Sequence, residues 1–139
     1  MFPKRKKTKL SKEVAALDRA FKTWIRLSKS NQDGVCFCIT CGRAYMWNNC
    51  DSGHFMTSGF FPTRWEPDNV WPQCAQCNRF KEGLHYEMGK AIDKKIGDGT
   101  ADKMVLKAKT GQRLDKFQMA ELAKYYRKLC KELKEEKGL

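Results

Sequence analysis

The sequence predicts an α+β fold, mostly helical, with a small irregular core tied by a four-cysteine metal site and flanked by N- and C-terminal helices. Three observations predict it. Apolar residues recur at near-helical spacing at both ends of the chain. The stretch from Val35 to Val70 is irregular, with glycines at 42, 53 and 59 and prolines at 62 and 67. Two Cys-x-x-Cys pairs, CITC at 38–41 and CAQC at 74–77, bracket most of that stretch.

Taken in order, residues 1–12 (MFPKRKKTKLSK) carry six Lys or Arg and no acid, which predicts a basic arm. Residues 13–139 are expected to form one zinc-stabilised domain, with a core at about 36–96 and C-terminal helices over 100–136. The first helix is expected over 11–28: Val14, Leu17, Phe21, Trp24, Ile25 and Leu27 mark one face, and Ser11 can cap its start. SNQDG at 30–34 ends it. Loops and two short strands, around 43–47 and 52–56, should follow. A helix should start near Cys77 or Asn78 and run towards Ile96 with a break at Gly83. Leu84, Met88, Ile92 and Ile96 give it an apolar stripe. GDGT at 97–100 reads as a turn whose Thr100 caps a short helix. The last helix is expected over 113–136, with Leu114, Phe117, Leu122, Tyr125, Leu129 and Leu133 on its apolar face.

Charge narrows the partners. The net charge is +12 and the isoelectric point is near 9.5. Such an excess favours a polyanion, and DNA or RNA is the commonest one. The arm, with Lys4, Arg5, Lys6 and Lys7, should add affinity through counterion release without reading sequence. No apolar run approaches the roughly 20 residues needed to span a bilayer, so no membrane partner is expected. The N-terminus lacks the apolar segment of a secretory signal, which predicts a cytoplasmic protein. In a reducing compartment seven cysteines read as metal ligands and free thiols, and their odd number argues against a complete disulfide set.

The paired spacing assigns four of them. A two-residue gap lets Cys38 with Cys41, and Cys74 with Cys77, each place two thiolates on one tetrahedral ion. Gly42 permits the tight turn such a knuckle needs. The expectation is one structural zinc per chain, with residues 42–73 forming a loop tied at its base. Cys36 is the alternative ligand to Cys38, but the CFC spacing fits a knuckle poorly, and Cys50 and Cys130 are expected as core thiols.

The tied loop also carries chemistry. Phosphodiester hydrolysis needs a base to activate water, a cation to stabilise charge, and positioning groups. His54, in CDSGHF, can be the base because imidazole titrates near neutral pH. Asp51 and Asn78 offer hard oxygens suited to magnesium or manganese. Asn69 can hold the loop or orient the imidazole. Arg64, Arg79 and Lys81 are candidates for DNA phosphate. His85 is expected at the surface or facing DNA.

These segments resemble a known family. C-x-x-C-G, a D-x-G-H segment and D-N-V-x-x-Q-C-x-x-C-N-R-x-K-x-G resemble HNH (ββα-metal) endonucleases with a zinc-knuckle pair. More narrowly, CDSGHF, PTRWEPDNVWPQC and CNRFKEG resemble the phage NinG family, also called Rap, from about Cys38 to Ile96. The resemblance implies a small ββα-metal core, a β-hairpin and helix holding one divalent cation, with the zinc site as scaffold. It implies a phage recombination nuclease, in the host cytoplasm, acting on branched or single-strand-containing DNA such as D-loops and Holliday junctions. By position it makes His54 the general base, Asn69 the middle motif residue and Asn78 the helix residue facing the cation.

One departure concerns Asp51. Strand alternation puts residues 51 and 54 on opposite faces, so Asp51 joins His54 only if the strand bulges, which Gly53 would permit. Symmetrical cutting of a junction takes two active sites, which points to a homodimer. The apolar face of 113–136 would serve either that dimer or packing on helix 11–28. The competing function is a zinc-knuckle DNA-binding protein without catalysis, which accounts for charge and zinc but not for Asp51, His54, Asn69 and Asn78.

Overall fold

The computed structural model describes residues 10–139. Lys4, Arg5, Lys6 and Lys7, expected to contact DNA, lie outside the described residues. Helix α1 (Lys12–Ser28) starts where the Ser11 hydroxyl accepts from the Val14 N–H at 3.3 Å. Helix α5 (Lys116–Lys137) starts at a reciprocal cap, in which Asp115 accepts from the Gln118 N–H at 2.7 Å and Gln118 accepts in return at 2.9 Å. The two helices run side by side in the same direction. Cys130 Sγ donates to the Ala20 carbonyl at 3.6 Å, and Lys137 Nζ to that of Leu27 at 2.7 Å.

Val14, Leu17, Phe21 and Ile25 meet Met119, Ala123 and Tyr126 in a core closed by Trp65 and Val70. Phe21 is fully buried and edge-on to Tyr126 at 5.1 Å. Its truncation to alanine would cost about 3–5 kcal/mol. Of the apolar face expected for the last helix, Leu114, Leu122 and Leu129 pack against this core, but its centre is shifted. Phe117 and Tyr125 face solvent, while Met119, Ala123, Tyr126 and Cys130 are buried. The seam is made by Met119, Ala123 and Tyr126, which lie beside Leu122 and Leu129 on the helix surface.

Four strands form where two were expected. β1 (Val35–Phe37) pairs antiparallel with β2 (Ala44–Met46), and β3 (Asp51–His54) pairs antiparallel with β4 (Val70–Gln73). β2 and β3 are the expected strands; their partners were hidden. β1 is three residues long, and β4 contains Pro72, which cannot donate to a ladder. The β3–β4 register runs unbroken from Asp51↔Gln73 to His54↔Val70, so the bulge that would bring Asp51 to the face of His54 is absent. Gly53 serves another purpose. A Cβ there would lie 2.2 Å from Gln73 Oε1, so the glycine gives clearance to a fully buried side chain.

The single turn α2 (Phe61–Arg64) lies in the β3–β4 connection. β4 leads into a wide helical turn at Gln76–Phe80, and Glu82, Gly83 and Leu84 then take left-handed φ of 54°, 79° and 49°. This is the break expected at Gly83. Helices α3 (His85–Ile96) and α4 (Thr100–Thr110) follow. Thr100 is the first residue of α4 rather than its cap, and its hydroxyl donates to the Gly97 carbonyl at 2.7 Å. Met88 and Ile92 from the expected stripe are buried against Met104, Phe55 and Trp71, whereas Ile96 is exposed. No helix among the described residues is long and apolar enough to cross a membrane.

Candidate functional site

The first knuckle is the turn of the β1–β2 hairpin. The Cys38 N–H donates to the Arg43 carbonyl at 2.9 Å, and Gly42, at φ 77°, donates to the Cys38 carbonyl at 2.8 Å. The second knuckle begins directly after β4. The sulfurs of Cys38, Cys41, Cys74 and Cys77 all lie within 4.8 Å of one another. Cys41 and Cys74 are 3.8 Å apart, which matches the edge of about 3.8 Å of a tetrahedron with 2.3 Å Zn–S bonds. The Cys74 N–H donates to Cys38 Sγ at 3.3 Å, and the Cys77 N–H to Cys74 Sγ at 3.4 Å. Burial raises the Cys38 thiol, but donors from Cys74 and Thr40 outweigh it and bring the pKa down to about 6. Burial and the neighbouring sulfurs push Cys41 up to about 12. Four thiolates this close need a cation between them. The donor set fits a structural zinc, and the other three cysteines stay outside it as buried thiols.

The loop between β3 and β4 is locked by polar contacts. Asn69 is fully buried; its oxygen accepts from the Met56 N–H at 2.7 Å, and its nitrogen donates to the carbonyls of Met56 and Thr63 at 3.0 Å each. Of its two expected uses, the geometry shows loop-holding. Arg64 corrects an expectation. It is buried, its Nε and Nη2 grip Asp18 at 3.0 and 2.6 Å, and Nη1 donates to the Ser58 carbonyl at 2.7 Å. Buried and held in this way, the guanidinium is not presented to a DNA phosphate at the surface. Trp65 Nε1 also donates to Asp18, at 2.9 Å.

His54 meets the backbone of the same turn, with Nε2 2.9 Å from the Arg64 carbonyl. A carbonyl only accepts, so Nε2 carries the proton and Nδ1 keeps its lone pair. Burial lowers the imidazole pKa, and nearby Lys22 adds to this, against the opposing effect of the Arg64 carbonyl. The ring is neutral at neutral pH.

Asp51 lies at the start of β3 and meets the turn after the second knuckle. Its carboxylate accepts from Asn78 Nδ2 at 3.0 Å and from Arg79 Nε and Nη2 at 2.8 and 2.7 Å. Burial raises its pKa, but the Arg79 and Asn78 hydrogen bonds and the Arg79 charge outweigh it and leave the acid ionised. These residues line a cleft of about 280 Å³ with Lys22, Arg26 and Ser52. The structure thus brings Asp51 and Asn78 together. It does not bring Asp51 to His54, because the regular register keeps them on opposite faces of β3.

Lys81 is exposed beside this turn. His85 is exposed as expected, with its ring stacked on Phe55 at 4.3 Å and Nδ1 3.0 Å from the Phe55 carbonyl. Sequence reasoning missed Asp18, Lys22 and Arg26. The signal was available: Asp18 interrupts the apolar stripe Val14–Phe21, and Lys22 and Arg26 follow it at i+4 and i+8 beside that stripe.

The family model described as Bacteriophage Lambda NinG protein matches residues 3–136. No curated protein matches the chain. No solved structure matches it either.

Proposed function

The chain belongs to the bacteriophage lambda NinG family, and from that premise we propose that it is a divalent-metal-dependent DNA endonuclease of the HNH (ββα-metal) type. Its substrates would be branched recombination intermediates such as D-loops and Holliday junctions, met in the host cytoplasm. The observation that carries this reading is the contact of Asp51 with Asn78 at 3.0 Å, in a cleft lined by Lys22, Arg26 and Arg79. The Asp51 carboxylate offers hard oxygens for magnesium or manganese; Asn78, which donates its amide nitrogen to that carboxylate, would turn its amide oxygen to the ion, and the surrounding cations suit a phosphodiester. The order β3, β4, helical turn also fits the strand–strand–helix core of such enzymes.

A bound divalent cation would polarise the phosphate and stabilise the leaving oxygen. Asp51 and Asn78 would hold it, with Arg79 turned from Asp51 onto phosphate. Lys22 and Arg26 would neutralise the backbone. His54 lies on the other face of β3 from Asp51, so for it to take the proton of water at Nδ1, with Nε2–H on the Arg64 carbonyl, β3 would have to bulge when the cation and DNA bind. A homodimer would supply the two sites for symmetrical cutting.

The unbroken register of β3 favours a second reading, a zinc-stabilised DNA-binding protein in which His54 only holds the loop. Incubating purified protein with a labelled junction and magnesium or manganese separates the two. Metal-dependent nicking, lost in His54→Ala, is expected. Tight binding without cleavage at any metal concentration would establish the second reading.

A further inference from the structure

We propose that the cleft beside β3 and the ring of Phe80 together bind one single-stranded nucleotide step. A backbone phosphate would lie against Lys22, Arg26 and Arg79, and the adjoining unpaired base would stack on Phe80. The proposal rests on the DNA-processing reading above and names the part of the substrate that this site takes.

The cleft is built for an anion. Lys22, Arg26 and Arg79 face one acid, Asp51, and among the described residues neither Lys22 nor Arg26 pairs with a carboxylate. Its walls are set in advance. Arg26 Nε donates to the Lys22 carbonyl and Nη1 to the Cys50 carbonyl, at 3.2 Å each. Ser52 Oγ donates to the Lys22 carbonyl at 2.7 Å, which ties α1 to the strand.

Phe80 directly follows Arg79 and precedes Lys81. It is 81% exposed, the highest value among the large exposed apolar side chains of the described residues. A lone exposed phenylalanine is ordinary, but this one projects from a turn fixed on several sides. The Lys81 N–H donates to the Gln76 carbonyl at 3.0 Å, and the Gly83 N–H to the Cys77 carbonyl at 2.9 Å. The buried Gln73 side chain donates to the Gly83 carbonyl at 2.8 Å. Glu82 is the one acid on the turn, among Arg79 and Lys81. Other exposed rings are less suited. Lys90 covers the face of Tyr86 at 4.3 Å, and Phe117 and Tyr125 of α5 sit in an apolar patch with Leu114, which precedes that helix. Paired bases offer no free face to a ring, whereas unpaired ones do. Phe80 would therefore select the single-stranded part of a branched substrate.

The test measures binding of the full chain in buffer without added magnesium or manganese, so that it is read apart from cutting. The probes are a single-stranded oligonucleotide carrying 2-aminopurine and its duplex. The wild type is expected to quench the probe in the single strand. Phe80→Ala should abolish the quench and weaken single-strand binding about tenfold, with duplex affinity within about twofold. Phe80→Tyr should retain both. Lys22→Gln should weaken both forms and reduce the salt slope by about one. Unchanged single-strand binding by Phe80→Ala, or an equal loss on strand and duplex, would overturn the proposal. Absence of cleavage with any metal would sink the nuclease reading and leave this binding result standing.

Discussion

The Nε2 atom of His54 lies 2.9 Å from the carbonyl oxygen of Arg64, and the Arg64 guanidinium is gripped by Asp18 through two bonds of 3.0 and 2.6 Å. Three elements meet in this relay: β3 carries the imidazole, α2 the carbonyl, and α1 the acid. The place of His54 therefore depends on a buried ion pair outside the cysteine centre. Lys29 adds a second tie between α1 and the loop. Its Nζ donates to the Pro67 and Val70 carbonyls at 2.6 and 2.7 Å, beside the Trp71 ring.

Removing one member of that pair should be worse than removing both. Asp18→Asn leaves a guanidinium buried without its counter-charge and should cost about 3–5 kcal/mol in denaturant unfolding. Asp18→Leu with Arg64→Met should recover much of the loss. Burial raises the Asp18 pKa, but the Arg64 hydrogen bonds and charge, with Trp65, outweigh it and hold it below the usual carboxylate value. The pair's stabilisation is thus present above about pH 4 and is lost as pH falls through the lowered value. Asp18→Asn should lack that acid-side loss. An unfolding midpoint equal to wild type would refute the relay.

The cysteine centre and the two terminal helices were legible in the sequence because their signals are local. A C-x-x-C pair and a 3.6-residue period need no knowledge of the rest of the chain. The strand partners were not legible, because β1 and β4 are short and gain their order from long-range pairing. Arg64 was misread for a similar reason. A lone arginine in a loop reads as a phosphate ligand until its partner is seen, and Asp18 lies far away in sequence. The α1 wall of the cleft was missed because Lys22 and Arg26 read as a solvated helix face.

The pH dependence of cleavage should report the burial of His54. A base acts in its neutral form, and burial lowers this pKa. The rate should therefore rise with pH, with its midpoint below the ordinary histidine value of about 6.5. Lys22→Gln removes a charge that lowers the pKa further, so the rise should move to higher pH. A single-turnover profile centred above 6.5 in the wild type would contradict this.

Gly53→Ala tests the packing of β3 without touching a polar group of the site. The new Cβ would lie 2.2 Å from Gln73 Oε1. Gln73 would have to give up its bonds to Thr40 and Gly83, at 3.2 and 2.8 Å, to clear it. Overpacking of this kind costs about 1–3 kcal/mol. Calorimetry should show a lower Tm. The variant should also hold the Gln76–Leu84 turn less firmly, which amide exchange at Gly83 would register as faster. Wild-type values for both would mean that Gln73 moves freely.

The cysteine centre and the Asp51–Asn78 contact should separate cleanly, although Asn78 directly follows Cys77. Metal binding to four thiolates is itself folding free energy. Cys74→Ser should therefore lose zinc by elemental analysis, lower the Tm and displace Asn78 and Arg79 together. Asn78→Ala changes no thiolate. It should retain one zinc per chain and a Tm close to wild type, because its side chain contributes one hydrogen bond, to Asp51. Its deficit should appear only as a higher magnesium or manganese concentration for half-maximal cleavage, since an oxygen ligand is gone. If Asn78→Ala instead sheds zinc, the two centres form one cooperative unit, and Asn78 supports the knuckle rather than the cation.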